Sequence, residues 1–163
     1  MAAQRVAVIG AGACGMSMMK TLREDGFHVT CYERRKQVGR LWAYTDDPLM
    51  TTALPYYPSH LTASQFQEFM ESYARHFDLL SGVVFGASVT RATRNDDDTR
   101  WKLEMLVEGK TRSEEFDKVV FCHGYQTQPT MPKFEGQELF KGTLMHAQQF
   151  RRQVQVPVRR CRG

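Results

Sequence analysis

Glycines with the spacing of a dinucleotide-binding turn follow the first apolar stretch of the chain. Residues 6–9 run directly into Gly10-Ala-Gly-Ala-Cys-Gly15, which has the pattern Gly-x-Gly-x-x-Gly. In a βαβ unit the first glycine permits a tight turn and the second lets a pyrophosphate approach the backbone. The third allows the helix to pack closely on the sheet. These roles fall to Gly10, Gly12 and Gly15, and the N–H groups that open the next helix would bind phosphate.

An acidic residue closes the next apolar stretch, where such units bind the ribose of the nucleotide. His28-Val-Thr-Cys-Tyr32 is followed by Glu33, whose carboxylate can accept hydrogen bonds from ribose hydroxyls. Strand, glycines, helix, second strand and acid appear in the order of a βαβ unit. We therefore predict a dinucleotide site, and at this point NAD and FAD both remain open.

Composition is that of a globular protein of one domain. The chain has 163 residues, 42% of them hydrophobic and 25% charged, which is enough for a hydrophobic core. The net charge is +4, and several arginines fall within residues 151–163. No aromatic residue interleaves these arginines, so we do not expect nucleic-acid binding.

Cysteine usage and hydropathy indicate the compartment. Cys14, Cys31, Cys122 and Cys161 form neither a Cys-x-x-Cys pair nor a metal-ligand spacing, so we predict no metal site. The first three lie in or beside predicted strands or the glycine turn, and we expect small buried thiols in a reducing compartment. No apolar run reaches transmembrane length, and no signal peptide fits before the first strand. We predict a cytoplasmic protein, with its oligomeric state left open.

Hydrophobic periodicity predicts two helices. The first should span residues 13–25, and residues 34–60 read as a loop. A second helix should begin near Thr62, because Thr-Ala-Ser-Gln65 is a capping-box pattern. Aromatic residues then recur at helical spacing from Phe66 to Phe77, and we expect them in the core.

The region after the second helix is predicted to be rich in strands. Residues 83–85, 88–93 and 101–107 have strand patterns, with turns at 95–99 and at Gly109-Lys110. Residues 118–122 form a continuous apolar run, which favours a central, buried strand. The predicted fold class is α/β, a Rossmann-type parallel sheet with an inserted antiparallel β-meander.

Several segments together resemble flavin-containing monooxygenases. Val38-Gly-Arg-Leu-Trp42 is similar to the family's Gly-Gly-x-Trp loop, and residues 116–124 are similar to its second FAD motif. Phe140-Lys-Gly-Thr-Leu-Met-His-Ala-Gln-Gln-Phe150 fits the family's pattern Phe-x-Gly-x-x-x-His-x-x-x-Phe/Tyr. Its final Phe150 favours the group that oxygenates nitrogen and sulfur over the sister Baeyer–Villiger enzymes. The resemblance extends from about residue 5 to residue 152.

The resemblance implies an FAD-binding domain at residues 1–150. The run of arginines predicts a basic, disordered tail at residues 151–163. The FAD-binding residues that the resemblance implies are Gly10, Gly12, Gly15, Glu33, Arg34, Gly39, Leu41, Trp42 and Gly124. Arg34 would lie near the adenine or its ribose, or else serve only as a surface arginine. Leu41 and Trp42 would wall the flavin ring, or else pack in the core.

The sequence also departs from the family pattern at functional positions. Arg40 stands where relatives have a second glycine, and His123 replaces the usual threonine before Gly124. His146 occupies the histidine position of the identifying pattern, which in relatives links two domains. The family's second Gly-x-Gly-x-x-Gly, which binds NADPH, is not found in these 163 residues.

The activity that the resemblance implies is oxygen transfer. NADPH would reduce FAD, and a flavin hydroperoxide would oxygenate a small organic substrate at nitrogen or sulfur. The alternative is a truncated or degenerate FAD-binding fragment without catalytic activity. A reductase-type FAD domain is a weaker third hypothesis, against which the missing Cys-x-x-Cys pair counts.

Overall fold

The computed structural model describes residues 3–39, 62–124 and 130–146. A parallel sheet lies at its centre. The four strands are β1 (Arg5–Ile9), β2 (His28–Glu33), β3 (Val83–Phe85) and β7 (Lys118–Phe121), in the order β3-β2-β1-β7. Val8 of β1 lies beside Cys31 of β2 on one side and beside Val120 of β7 on the other. This order places the carboxyl ends of β1, β2 and β7 at one edge of the sheet.

Two helices cover one face of the parallel sheet. Helix α1 (Ala13–Glu24) ends one residue before the predicted limit, and Gly26 follows it at φ +84°. Helix α2 (Ala63–His76) begins where the sequence predicts. The Thr62 hydroxyl accepts the Gln65 N–H, and the Gln65 side chain accepts the Thr62 N–H, so the predicted capping box is confirmed.

The aromatic series of α2 is only partly in the core. Phe66 is buried with Met70, and Phe69 and Tyr73 are half-buried against the same cluster. Phe77, which caps the helix, is 36% exposed and lies under the Lys20 ammonium, 5.1 Å from its ring centre. The prediction of a core role is wrong for Phe77, because it lies beyond the last helical turn.

A three-stranded antiparallel meander covers the other face. It consists of β4 (Ala87–Arg94), β5 (Trp101–Val107) and β6 (Lys110–Phe116). The β5–β6 hairpin turns at Glu108 and Gly109, both with positive φ, as a two-residue primed turn requires. Lys110 therefore begins β6 and does not belong to the turn.

Single residues connect the meander to the parallel sheet. Gly86 lies between β3 and β4, and Asp117 lies between β6 and β7. Leu103 and Phe116 of the meander are buried against Ala7 and Tyr32 of the parallel sheet. The described parts of the chain thus form helix, sheet and meander layers, with one apolar core on each face of the central sheet.

Strand β7 differs from its prediction. Among the described strands it pairs only with β1 and lies at one end of the sheet, and Phe121 is 52% exposed. Its apolar run has a different cause, because Val120 contacts the helix-side core and Val119 contacts the meander-side core. Partial burial of Val119 and Val120 on opposite faces, and not a central, buried position, explains the run.

Candidate dinucleotide-binding site

The glycine turn brings the start of α1 into close contact with the ends of β1 and β7. Gly10 has φ +104°, and a Cβ there would lie 2.8 Å from the carbonyl oxygen of Cys122. A Cβ on Gly15 would lie 1.8 Å from the carbonyl oxygen of Gly10. Both positions therefore exclude a side chain, Gly10 by conformation and contact, and Gly15 by contact alone.

The first turn of α1 keeps its N–H groups free of side-chain partners. Gly12 is the N-cap in an extended conformation, and it provides no side-chain hydrogen bond. The first turn also contains no acidic residue. Because uncapped N–H groups and the helix dipole attract anions, this helix start is suited to a diphosphate.

The Glu33 carboxylate connects the end of β2 to the glycine turn. It is buried, and its Oε2 accepts the Ala11 N–H at 2.8 Å while its Oε1 accepts the Arg35 N–H at 2.9 Å. A carboxylate has about four acceptor sites, so two remain for ligand hydroxyls. The sequence predicts Glu33 as a ribose acceptor, and the structure adds a role in holding the turn.

A cavity of about 190 Å³ opens at this carboxyl edge of the sheet. The ends of β1, β2 and β7 and the start of β4 provide its walls: Ile9, Gly10, Tyr32, Glu33, Arg34, Ala87, Ser88, Val89 and His123. Ligands of open α/β sheets bind outside the carboxyl ends of the strands, which is where this cavity lies. Sequence reasoning missed the contribution of β4, because only the fold brings the meander to this edge.

Gly39 lies on a second segment that contacts the turn. It has φ +95°, and its N–H donates to the carbonyl oxygen of Ala11 at 2.9 Å. Gln67 of α2 supports this segment, because its Nε2 donates to the Val38 carbonyl oxygen at 2.9 Å. A Cβ on Gly39 would lie 2.1 Å from the Gln67 Oε1. Arg40, Leu41 and Trp42 lie outside the described residues.

The segment after β7 reaches the same site. The Cα of His123 would lie 3.4 Å from a Cβ on Gly10, and His123 lines the cavity. The ring is held edge-on to Phe121, with centroids 6.1 Å apart, and its Nδ1 lies 2.7 Å from the Gly124 carbonyl oxygen. Gly124 follows at φ +77°, so a sharp turn accounts for a glycine there. His146 is partly buried, and residues 147–150 lie outside the described part.

The cysteines differ in exposure more than the sequence indicates. Cys31 is buried in β2, but Cys14 is exposed in the first turn of α1, so the expectation of a buried thiol is wrong there. Helix side chains at this position point away from the sheet that Gly15 contacts. Burial raises the pKa of Cys31 to about 12, with smaller contributions from Glu33 and Cys122. Within the described ranges we find no group of three or more potential metal ligands.

None of the described helices combines the length and apolar composition needed to cross a membrane. The glycine turn, the uncapped helix start and the buried acid have the arrangement typical of a βαβ dinucleotide-binding unit.

Sequence comparison gives the family. The flavin-binding monooxygenase-like family matches residues 3–56 and 52–161. Flavin-containing monooxygenase 1 of Homo sapiens is 32% identical over 176 residues, which cover 91% of this chain and 33% of that protein. Flavin-containing monooxygenase 5 of Rattus norvegicus is 30% identical over 187 residues, with coverages of 98% and 35%. The chain belongs to the flavin-binding monooxygenase-like family and spans about a third of the length of these relatives.

Structural comparison confirms the predicted fold class. S-allyl-L-cysteine S-oxygenase from Allium sativum matches with a TM-score of 0.75 at 22% identity, over 86% of this chain and 41% of that one. OTEMO, in complex with FAD and NADP, matches with a TM-score of 0.68 at 19% identity, over 86% and 29%. The shared α/β fold combines a parallel sheet with a separate antiparallel one.

Proposed function

We propose that this chain is an FAD-binding part of a monooxygenase that uses NADPH and oxygenates a small organic substrate at nitrogen or sulfur. The buried Glu33 carboxylate, fixed between the glycine turn and the cavity, is the observation that carries the proposal. When bound, FAD supplies the redox and oxygen-activating chemistry, and the protein supplies binding and orientation. The proposed order of events is the one that the family resemblance implies: NADPH reduces FAD before oxygen is transferred to the substrate.

The described residues fit the adenosine diphosphate half of FAD. A Cβ on Gly10 would meet the Cys122 carbonyl group and one on Gly15 would meet the Gly10 carbonyl group, so both glycines keep the turn tight. The first turn of α1, which follows Gly12, offers N–H groups to the diphosphate. Glu33 keeps acceptor sites for the ribose, and Arg34 lines the cavity wall. We assign the remaining contacts to Gly39, Gly124, Leu41 and Trp42 on the basis of the resemblance.

Retention of flavin is the first test. We expect the purified chain, mixed with FAD and passed through gel filtration, to keep the flavin absorbance. Gly15→Ala should weaken binding by about tenfold or more, because its Cβ would displace the Gly10 carbonyl group. Ser17→Ala, at an exposed position of the same helix, is the matched control. ADP should compete with FAD for the wild-type chain, which tests the site even if Gly15→Ala fails to fold.

The alternative is an FAD-binding fragment without turnover. Its support is that the 163 residues contain one Gly-x-Gly-x-x-Gly and carry Arg40 and His123 at family positions. Anaerobic NADPH separates the two hypotheses. Bleaching of bound flavin supports the monooxygenase, retained but unbleached flavin supports the fragment, and failure of the wild-type chain to retain flavin contradicts both.

We also infer a cytoplasmic location, which the free thiols Cys14, Cys31 and Cys122 support.

A further inference from the structure

A second cavity lies at the amino ends of β2 and β3, away from the cavity at the carboxyl ends of the strands. Strand β3 begins beside Cys31 of β2, so residues 28–30 of β2 have no partner in β3. The open space beside them has a volume of about 480 Å³. The last turn of α1 and the 3₁₀ turn Leu80–Gly82 contribute to its walls, and none of its wall residues lines the nucleotide cavity.

Arg23 lines this second cavity, and its guanidinium is fixed against Gly82, which lines it too. The Arg23 Nη1 donates to the Asp78 carbonyl oxygen at 2.7 Å. A Cβ on Gly82 would lie 2.1 Å from the Arg23 Nη2 and 2.6 Å from the Met19 Cε. Gly82 is not among the glycines with positive φ, so close packing and not backbone conformation accounts for it. The missing side chain at Gly82 therefore gives the guanidinium its place.

The positive charge of Arg23 has no carboxylate partner within the described residues. Its hydrogen bond goes to a neutral carbonyl group, and the side chain is partly buried. His28 is the other basic residue of the walls, which include no aspartate or glutamate. The Asp78 carboxylate lies outside the walls and accepts the Ser81 hydroxyl at 3.3 Å. Because a partly buried cation without a counter-charge attracts anions, the charges at this cavity favour an anionic ligand.

The other walls combine hydrogen-bonding groups with apolar surface. His28 and Thr30 lie two residues apart on β2 and so share one face of the strand. Neither side chain forms a hydrogen bond within the described residues, which leaves both available to a ligand. The apolar wall residues are Phe27, Val29, Val83 and Val84. A mostly apolar lining with a few polar groups, in a volume of about 300–1,000 Å³, is typical of small-molecule sites.

We propose that this second cavity binds a small organic carboxylate with an apolar body. A planar carboxylate matches the donors of a guanidinium, and within the described residues only the Nη1 of Arg23 already has an acceptor. The last turn of α1 places the negative end of the helix dipole at this cavity, so a singly charged carboxylate is favoured over a doubly charged phosphate. The apolar body of the ligand packs on Phe27 and the valines. This site does not depend on the proposed function.

The test titrates the full, isotope-labelled chain with sodium benzoate and follows its backbone amide signals by NMR. We expect saturable shifts of the signals of Val29, Thr30, Gly82 and Val83, and no shifts at the glycine turn. Benzamide has nearly the same shape without the charge and should bind about tenfold more weakly or less well. Inorganic phosphate should also bind more weakly than benzoate. An excess of ADP should leave the benzoate shifts unchanged.

Substitutions assign the binding to the wall residues. Arg23→Gln removes the charge and should weaken benzoate binding by about tenfold or more, whereas Arg23→Lys should lose less. Arg91→Gln is the matched control, because Arg91 is an exposed arginine of β4 outside the cavity. Thr30→Val removes only a hydroxyl and should weaken binding by about threefold, which tests the site even if Arg23→Gln fails to fold.

The outcomes separate this carboxylate site from the cofactor site. Absence of benzoate shifts, equal affinity for benzoate and benzamide, or tighter binding of phosphate overturns the inference. Benzoate shifts at the glycine turn that ADP removes also overturn it, because they place benzoate in the nucleotide cavity. Benzoate binding at Val29 and Gly82 in a chain that never retains FAD supports the carboxylate site and contradicts the proposed function.

Discussion

The Glu33 Oε2 accepts the Ala11 N–H at 2.8 Å, so the acid at the end of β2 holds the glycine turn that lies 22 residues earlier in the chain. Its other oxygen accepts the Arg35 N–H. Ala11 is fully buried, which leaves its N–H no access to water as an alternative partner. The acid therefore holds the glycine turn from within, in addition to lining the cavity.

Removal of the Glu33 carboxylate should destabilise the protein as well as weaken FAD binding. Glu33→Ala leaves the Ala11 N–H buried without an acceptor, which costs about 1–3 kcal/mol in the free energy of unfolding. Glu33→Gln keeps one acceptor and should lose less. Glu24→Ala is the control, because Glu24 forms a solvent-exposed ion pair with Lys20, and such surface pairs contribute little to stability. Equal urea midpoints for Glu33→Ala and Glu24→Ala would contradict this role.

A side chain at Gly39 would be strained for two reasons, a steric clash with Gln67 and an unfavourable backbone conformation, and these can be separated by mutation. Gly39→Ala would place a Cβ 2.1 Å from the Gln67 Oε1 and would force alanine to φ +95°. The double variant Gly39→Ala/Gln67→Ala removes the steric contact but not the conformational strain. We expect it to recover part of the lost stability, with about 1–2 kcal/mol still missing relative to Gln67→Ala. A double-mutant cycle of unfolding free energies in urea measures the steric and the conformational contributions. Full recovery of stability in the double variant, relative to Gln67→Ala, would contradict the conformational contribution.

Phe116 should be a principal contact between the two sheets. It is fully buried, packs edge-on to Tyr32 with centroids 6.0 Å apart, and lies under the Arg5 guanidinium. Phe116→Ala should therefore lower the free energy of unfolding by about 3–5 kcal/mol. Phe134→Ala, at a site 60% exposed, should change it by less than about 0.5 kcal/mol. Similar losses for both variants would show that Phe116 does not join the layers.

Buried Cys31 predicts a loss of stability at alkaline pH. Its pKa is about 12 in the folded chain against 9.0 as the ordinary value, mainly because of burial. Above about pH 9 the unfolded chain releases this proton while the folded chain keeps it, so stability is full below that pH and falls toward pH 12. Burial raises the pKa of Tyr32 in the same direction.

The alkaline effect can be assigned to Cys31 by substitution. Urea midpoints measured at about pH 8 and about pH 11 should differ less for Cys31→Ala than for the wild-type chain. Cys14→Ala, at an exposed position, should keep the wild-type difference. An unchanged pH dependence in Cys31→Ala would assign the alkaline loss to other groups, such as Tyr32.

Local signals in the sequence were sufficient to predict the glycine turn and the start of α2. The capping box at Thr62 and the glycine spacing from Gly10 to Gly15 each act within a few residues, so they can be read without the fold. Strand β6 could not be predicted in the same way. Its residues Lys110–Phe116 are almost all polar and exposed, because only Phe116 and, in part, Glu114 turn inward.

The parts of the site that escaped prediction depend on packing between distant segments. Nothing near Ala87 indicates that β4 lines the cavity, since it reaches the site only because Gly86 turns the chain directly from β3 into the meander. Likewise, the support of Val38 by Gln67 joins residues 29 positions apart. The prediction that Leu41 and Trp42 wall the flavin ring stays a prediction, because both lie outside the described residues.

The pairing of β1 with β7 has a consequence for how the protein is made. The Arg5 N–H donates to the Asp117 carboxylate, 112 residues later in the chain, and β7 continues this contact along β1. On the ribosome, β1 and β2 can pair early, but one edge of β1 stays open until the whole meander has been synthesised. Such late, long-range closure slows folding and exposes a strand edge to other nascent chains. Stalled translation before Lys118 should therefore give an aggregation-prone product that depends on chaperones.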